Sequence, residues 1–211
     1  MSEDIIDFES DEELITAQKV LEKLQCAWLN EKFAPDILPI QEEIIELMMG
    51  QISHMEENMV QLDKNDLRYI AHRMEIERIR YLITSYLRCR LKKIEKYTSY
   101  IISEDEKSSE DNKRLSQGEL TFAQELFENT QNLFNRIALQ YMPNMQRSTA
   151  DCDKTVRPNL MSHVFLKAKT TVSGVVIGAD DEEVDLAEGS QHIIPYQLIS
   201  DLVLNDKVQL I

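Results

Sequence analysis

From Asp66 to Ile102 the chain runs without a proline or a glycine and keeps a helical period throughout, and no other feature limits its possible folds so tightly. At 1.5 Å per residue a helix of that length spans about 55 Å, longer than a compact domain built from 211 residues needs. Turned by about 100° per residue, Ile76, Ile79, Ile83, Leu87 and Ile94 fall on one side, and Leu67, Ile70, Met74 and Tyr81 fall nearly opposite. A helix at a protein surface has one apolar face. Two faces predict two packing partners, so this helix is either central to its own bundle or shared with another subunit. Arg73, Glu77 and Arg80 lie between the faces at i,i+4 and i,i+3 spacing, which predicts a structural ion network.

Other helices flank it. The first thirteen residues are acidic, with Ile5, Ile6 and Phe8 embedded among the carboxylates, and such a segment is expected to be mobile on its own. Ser10 and Glu13 have capping-box spacing, so a helix is predicted from about Asp11, with Leu14, Ala17, Leu21, Leu24 and Trp28 on one face and Pro35 and Pro39 ending it. A second helix is predicted from Ile40 to Leu62 on the stripe Ile44, Met48, Ile52, Met55, Met59 and Leu62, whose methionines suit an adaptable core. Residues 103–115 are polar and acidic and predict a flexible loop, with serines available for phosphorylation. Ser116 and Glu119 form a second capping box, opening a helix with the stripe Leu120, Ala123, Phe127, Thr130, Phe134, Ile137 and Tyr141, closed by Pro143.

The pattern then changes. Residues 144–157 show no period and read as a linker. Beyond them, 163–169, 174–178, 191–196 and 207–211 are short alternating or β-branched runs, which predict strands. The expected fold is mainly α: an acidic segment over 1–13, a helical domain of about four long helices over 14–143, and a small β-rich domain over 158–211. About fifty residues make a marginal independent core, so the β-rich domain is expected to lean on a partner, and its apolar end to be held by packing.

Composition and motifs remove most functional classes. The net charge of −15 surrounds the molecule with a field that repels phosphate. No apolar run approaches the roughly 20 residues of a bilayer span, and the acidic start at Met1 lacks the pattern of a signal peptide, so a cytosolic or nuclear protein is expected. The three cysteines, Cys26, Cys89 and Cys152, form no C-x-x-C pair, so buried reduced thiols are expected. The five glycines build neither a phosphate loop nor a dinucleotide turn, and the dispersed His54, His72, His163 and His192 form no metal-binding helix motif. His54 beside Glu56 and Glu57 reads as a solvated face. Neither catalysis nor a cofactor or metal is expected. Against the global charge, Arg88, Arg90, Lys92, Lys93 and Lys96 cluster on the latter half of the third helix. They suit the negative end of that helix and the acidic loop after it; the alternative is a nucleic-acid-binding module. Trp28, Phe33, Tyr81, Tyr86, Arg88 and Arg90 are residue types that anchor protein interfaces. With Ile193, Ile194, Tyr196, Val208, Leu210 and Ile211 of the predicted strands, they are the candidate partner-facing residues.

Four blocks carry a resemblance. Ala27-Trp-Leu-Asn-Glu-Lys-Phe-Ala-Pro35, His54-Met-Glu-Glu-Asn58, the run from Met74 to Tyr81 continuing through Ser85 to Lys96, and Gly189-Ser-Gln-His192 with the terminal Val208-Gln-Leu-Ile211 resemble, in order, the Sld-five type subunit of the eukaryotic GINS complex. The resemblance implies a helical A domain followed by a β-rich B domain, and a nuclear, non-catalytic scaffold for the initiation and elongation of DNA replication. It implies a heterotetramer with three Psf subunits, joined to the MCM ring and its Cdc-family partner in the active replicative helicase. The B domain would pack on a Psf subunit. In some relatives an acidic-hydrophobic N-terminal peptide docks on a trimeric adaptor linked to polymerase α; Ile5, Ile6 and Phe8 have that character, and a merely solubilising tail is the alternative.

Overall fold

The computed structural model describes residues 17–107, 113–142, 156–177 and 182–211. The expected N-terminal capping box, the candidate docking residues Ile5, Ile6 and Phe8, Cys152 and most of the expected linker lie outside them. Four long helices come first: α1 (Ala17–Phe33), α2 (Glu42–Val60), α3 (Leu67–Lys107) and α4 (Gln117–Ile137), the last followed by a 3-10 turn at Leu139–Tyr141. A β-rich unit follows, made of β1 (His163–Ala168), β2 (Val172–Ile177), β3 (Glu182–Leu186), β4 (Gln191–Pro195), α5 (Tyr196–Leu204) and β5 (Val208–Leu210). The fold is therefore a helical bundle followed by a small β-rich domain, as the sequence predicted.

Two apolar clusters hold the bundle together. Val20 and Leu24 of α1, Met48 and Ile52 of α2, and Ile76, Ile79, Leu82 and Ile83 of α3 form the first. Ile94 and Ile101 of α3 meet Ile37, Leu115 and Ala123 in the second. One helix serves both because its length exceeds either cluster. Near its far end, Tyr97 leaves helical geometry while the Thr98 hydroxyl donates to the Ile94 carbonyl at 2.6 Å, a back-bond of the kind that bends helices. The predicted capping box at Ser116 and Glu119 is present with both reciprocal hydrogen bonds.

In the β-rich domain β1 lies between β4 and β5, antiparallel to both, and β2 pairs with β3. The ladder of β2 shifts register between Val172 and Val175. Gly174 takes a φ of 70° there, a conformation open to a residue without Cβ. Val164, Leu166, Ala168, Ile194, Ile199, Val203, Val208 and Leu210 make its core, and Ala34, just past α1, joins them. The Leu210 amide donates to Asn30 Oδ1 of α1 at 2.8 Å. The support expected from a partner thus comes in part from the chain's own first helix.

Several expectations are corrected. α3 continues through Lys107, into the stretch read as a loop, because the Lys107 and Glu104 side chains pair at i,i+3 and nothing there breaks a helix. β3 went unpredicted because its sequence, Glu-Glu-Val-Asp-Leu, is too acidic to read as a strand. Tyr196 opens α5 rather than ending a strand; Pro195 stops the ladder, and Tyr196, Ile199 and Val203 already have helical spacing.

Candidate functional site

The two faces of α3 have different fates. Ile76, Ile79, Ile83 and Ile94 are buried in the bundle's own clusters. On the opposite side Leu67 is 78% exposed, Met74 69% and Tyr81 63%, with Ile70 also open to solvent. Tyr81 meets Trp28 edge to face, with centroids 6.4 Å apart, and the Trp28 indole donates to Ser85 Oγ at 2.9 Å. Lys32 Nζ stands 5.2 Å from the Trp28 ring and 5.1 Å from that of Phe33, which is itself partly open. The helix has filled one of its two predicted contacts from within the chain. The predicted network of Arg73, Glu77 and Arg80 did not form: Arg80 pairs instead with Glu56 of α2, which ties two helices rather than two turns of one.

The basic run splits in the same way. Arg90 is fully buried, and its five N–H groups all find acceptors. Nε and Nη2 hold the Glu119 carboxylate at 2.7 and 2.8 Å, Nη1 reaches Glu31 Oε2 at 3.2 Å and the Leu38 carbonyl at 2.6 Å, and Nη2 reaches the Arg114 carbonyl at 2.8 Å. Lys93 Nζ donates to Glu31 Oε1 and to the Asp36 carbonyl, both at 2.7 Å, and Arg114 closes the set on Asp36 at 2.8 Å. Burial opposes the charge on Arg90, but the Glu119 hydrogen bond and the field of Glu31 outweigh it and raise its pKa. For Lys93 burial wins over Glu31 and lowers the pKa. These side chains bind the α1–α2 connection to α3 and α4. They do no chemistry, because every acceptor is occupied by a structural donor. Arg88, Lys92 and Lys96 face outward, and none forms an ion pair among the described residues.

Six candidate interface residues are therefore interior. Tyr86 and Arg90 lie within the bundle, and Tyr196, Val208 and Leu210 lie within the β-rich core; Ile194 joins them there. Tyr86 accepts the Gln41 amide at 3.3 Å, and burial raises its pKa above the ordinary phenol value. Their burial in their own chain removes all six from the surface. Trp28 is half-buried, while Phe33, Tyr81, Arg88, Ile193 and Ile211 are open. Ile193 stands opposite Phe165 across the β1–β4 ladder, and the Ile211 amide donates to the Phe165 carbonyl at 3.0 Å. The three make one exposed apolar row across the sheet, centred on Phe165, a residue the sequence reading passed over although its alternation with Val164 and Leu166 marks it as outward. Likewise the C-terminal half of the α4 stripe, Phe134, Ile137 and Tyr141, is exposed. Among the described residues no group of three or more His, Cys, Asp or Glu side chains is placed to hold a metal ion, and no helix is long and apolar enough to cross a membrane.

Two family models match. A GINS complex protein helical bundle domain covers residues 40–138, and the C-terminus of the DNA replication complex GINS protein SLD5 covers 158–211. The chain belongs to the SLD5 family. It is 43% identical to the SLD5 protein of Mus musculus over 96% of its length and 93% of the mouse protein. It is 41% identical to that of Homo sapiens with the same coverage, and 41% identical to that of Xenopus laevis over 96% of this chain and 95% of the frog protein. SLD5 proteins are non-catalytic members of the DNA replication apparatus, and membership accounts for a polar interior arranged for holding rather than reacting. The SLD5 helical bundle model begins at residue 40, so α1, which supplies Glu31 to Arg90 and Asn30 to Leu210, lies outside it.

Proposed function

We propose that this chain is the structural SLD5-type subunit of a nuclear GINS heterotetramer, held with three Psf subunits and serving initiation and elongation of DNA replication within the MCM helicase and its Cdc-family partner. One observation carries the reading. The outward face of α3 displays Leu67, Ile70, Met74 and Tyr81, although the inward face already satisfies the bundle. A row of apolar side chains at helical spacing along so long a helix is a surface for another helix. The Phe165, Ile193 and Ile211 row offers the β-rich domain a second contact. The nucleic-acid reading retains only Arg88, Lys92 and Lys96, because Arg90 and Lys93 are turned inward.

Coexpression with the three Psf subunits, followed by mass determination of the intact particle, tests this. One copy of each chain is expected, and Met74→Glu with Tyr81→Glu removes this chain from the particle while leaving its own helical circular dichroism unchanged. A doubly substituted chain that assembles as well as the parent refutes the reading.

A further inference from the structure

The outward face of α3 does not end at Tyr81. At about 100° per residue, Arg88, Lys92 and Lys96 continue the line of Met74 and Tyr81, all on the side opposite the buried Ile76, Ile83 and Ile94. Leu91, beside them, is also exposed. The stripe ends where Tyr97 breaks the helical geometry. One face is therefore apolar over its first half and basic over its second. Glu31, Asp36 and Glu119, the buried acids nearby, are engaged by Arg90, Lys93 and Arg114. Lys96 Nζ lies 5.0 Å from the Tyr97 ring, a contact that brings no carboxylate, and Lys96 forms no ion pair among the described residues.

We propose that this stripe binds one helix of another subunit that carries apolar side chains against Leu67 to Tyr81 and then carboxylates at i, i+4 and i+8 against Arg88, Lys92 and Lys96. The inference rests on the assembly reading above and specifies the partner's chemistry. Cations four residues apart rise about 6 Å along the axis, and carboxylates with the same spacing on a neighbouring helix rise equally, so two helices 8 to 10 Å apart keep the pairs in register. A single helix also covers both halves of the stripe, which a phosphate backbone does not: it would leave the apolar half bare. DNA carries one charge per about 1.7 Å and meets the repulsion of a chain of net charge −15 along its whole length. Three carboxylates meet it only locally, within a Debye length of about 8 Å.

The test uses the coexpressed four-chain particle. A zero-length carbodiimide, which joins an amine to a carboxylate, is expected to link Lys92 and Lys96 to acidic residues four apart on one partner helix. Arg88→Glu with Lys92→Glu and Lys96→Glu is expected to weaken association by on the order of tenfold, since exposed pairs are individually small. That loss should shrink as salt rises, while the Tm of the isolated chain stays within a few degrees. Undiminished association, with Lys92 and Lys96 still open to acetylation in the particle, overturns the inference and leaves the assembly reading standing. Unchanged association with lost DNA affinity overturns it in favour of a nucleic-acid contact. Failure of the unsubstituted chain to assemble at all overturns both.

Discussion

The two interiors of this molecule are built on different principles. The β-rich domain closes on aliphatic side chains and one tyrosine, with Leu166, Leu186, Ile199, Val208 and Leu210 fully excluded from water. The bundle keeps its apolar residues in two clusters and places between them a charged layer in which Arg90 and Glu31 are fully buried, Glu119 is buried and Lys93 is partly buried. An apolar core tolerates many packings of similar volume. A buried ion network accepts one arrangement, because each unpaired member costs several kcal/mol. The bundle is thereby fixed in the relative placement of α1, α3 and α4.

Removing Arg90 tests that difference most severely. Arg90→Met leaves Glu31 and Glu119 facing one another in the interior with Lys93 as their remaining buried cation. A loss of about 3–5 kcal/mol is expected, measured by urea unfolding. A substitution of equal reach in the aliphatic core, such as Leu to Met, costs under about 1.5 kcal/mol. If Arg90→Met costs no more than that, the network does not hold the bundle and the contrast between the interiors fails.

A smaller effect is expected where the interiors meet. Asn30 sits beside Glu31 at the end of α1 and accepts the Leu210 amide, so one turn of helix serves both the charged layer and the last strand. Asn30→Ala leaves a buried N–H without an acceptor, which costs about 1–3 kcal/mol. Hydrogen exchange should localise the effect, with the amides of β5 losing protection while those of α3 near Arg90 keep theirs. Equal loss in both regions would mean that the two interiors unfold as one unit.

How much of this was legible depended on the kind of interior. Alternation placed Val164, Leu166 and Ala168 inside, and the helical period placed Ile76, Ile79, Ile83 and Ile94, since apolar residues reveal burial by their spacing alone. The same arithmetic foresaw the second face of α3. Charge gives no such signal. Arg90 stands seven residues after Ile83 and four before Ile94, on the buried side of the helix, yet within a basic run it reads as surface until the distant Glu31 and Glu119 supply its partners. Tyr86 was similarly ambiguous, being apt for an interface until Gln41 and the bundle enclosed it. β3 was hidden because, of its described side chains, only Leu186 is fully buried, too little to give the strand an alternating apolar pattern.

Alkali sharpens the comparison from the other side. Tyr196 is buried in the β-rich core, and desolvation first, then the fields of Asp36 and Glu31, raise its pKa above the ordinary value near 10. A phenol with a raised folded pKa stabilises fully below its unfolded value. The contribution is lost as pH climbs from about 10 toward the folded value, where the unfolded chain releases the proton first. Lys93 acts in the opposite direction, since its lowered pKa makes the folded state bind fewer protons, and its gain is complete by the ordinary lysine value of about 10.4. Tyr196→Phe should therefore change stability little at pH 7. Above pH 10 its stability should fall less steeply than that of the parent, by up to about 1.4 kcal/mol per pH unit. Parallel alkaline profiles would mean that Tyr196 ionises as easily in the folded chain as in the unfolded one, and that the β-rich interior is not sealed from water.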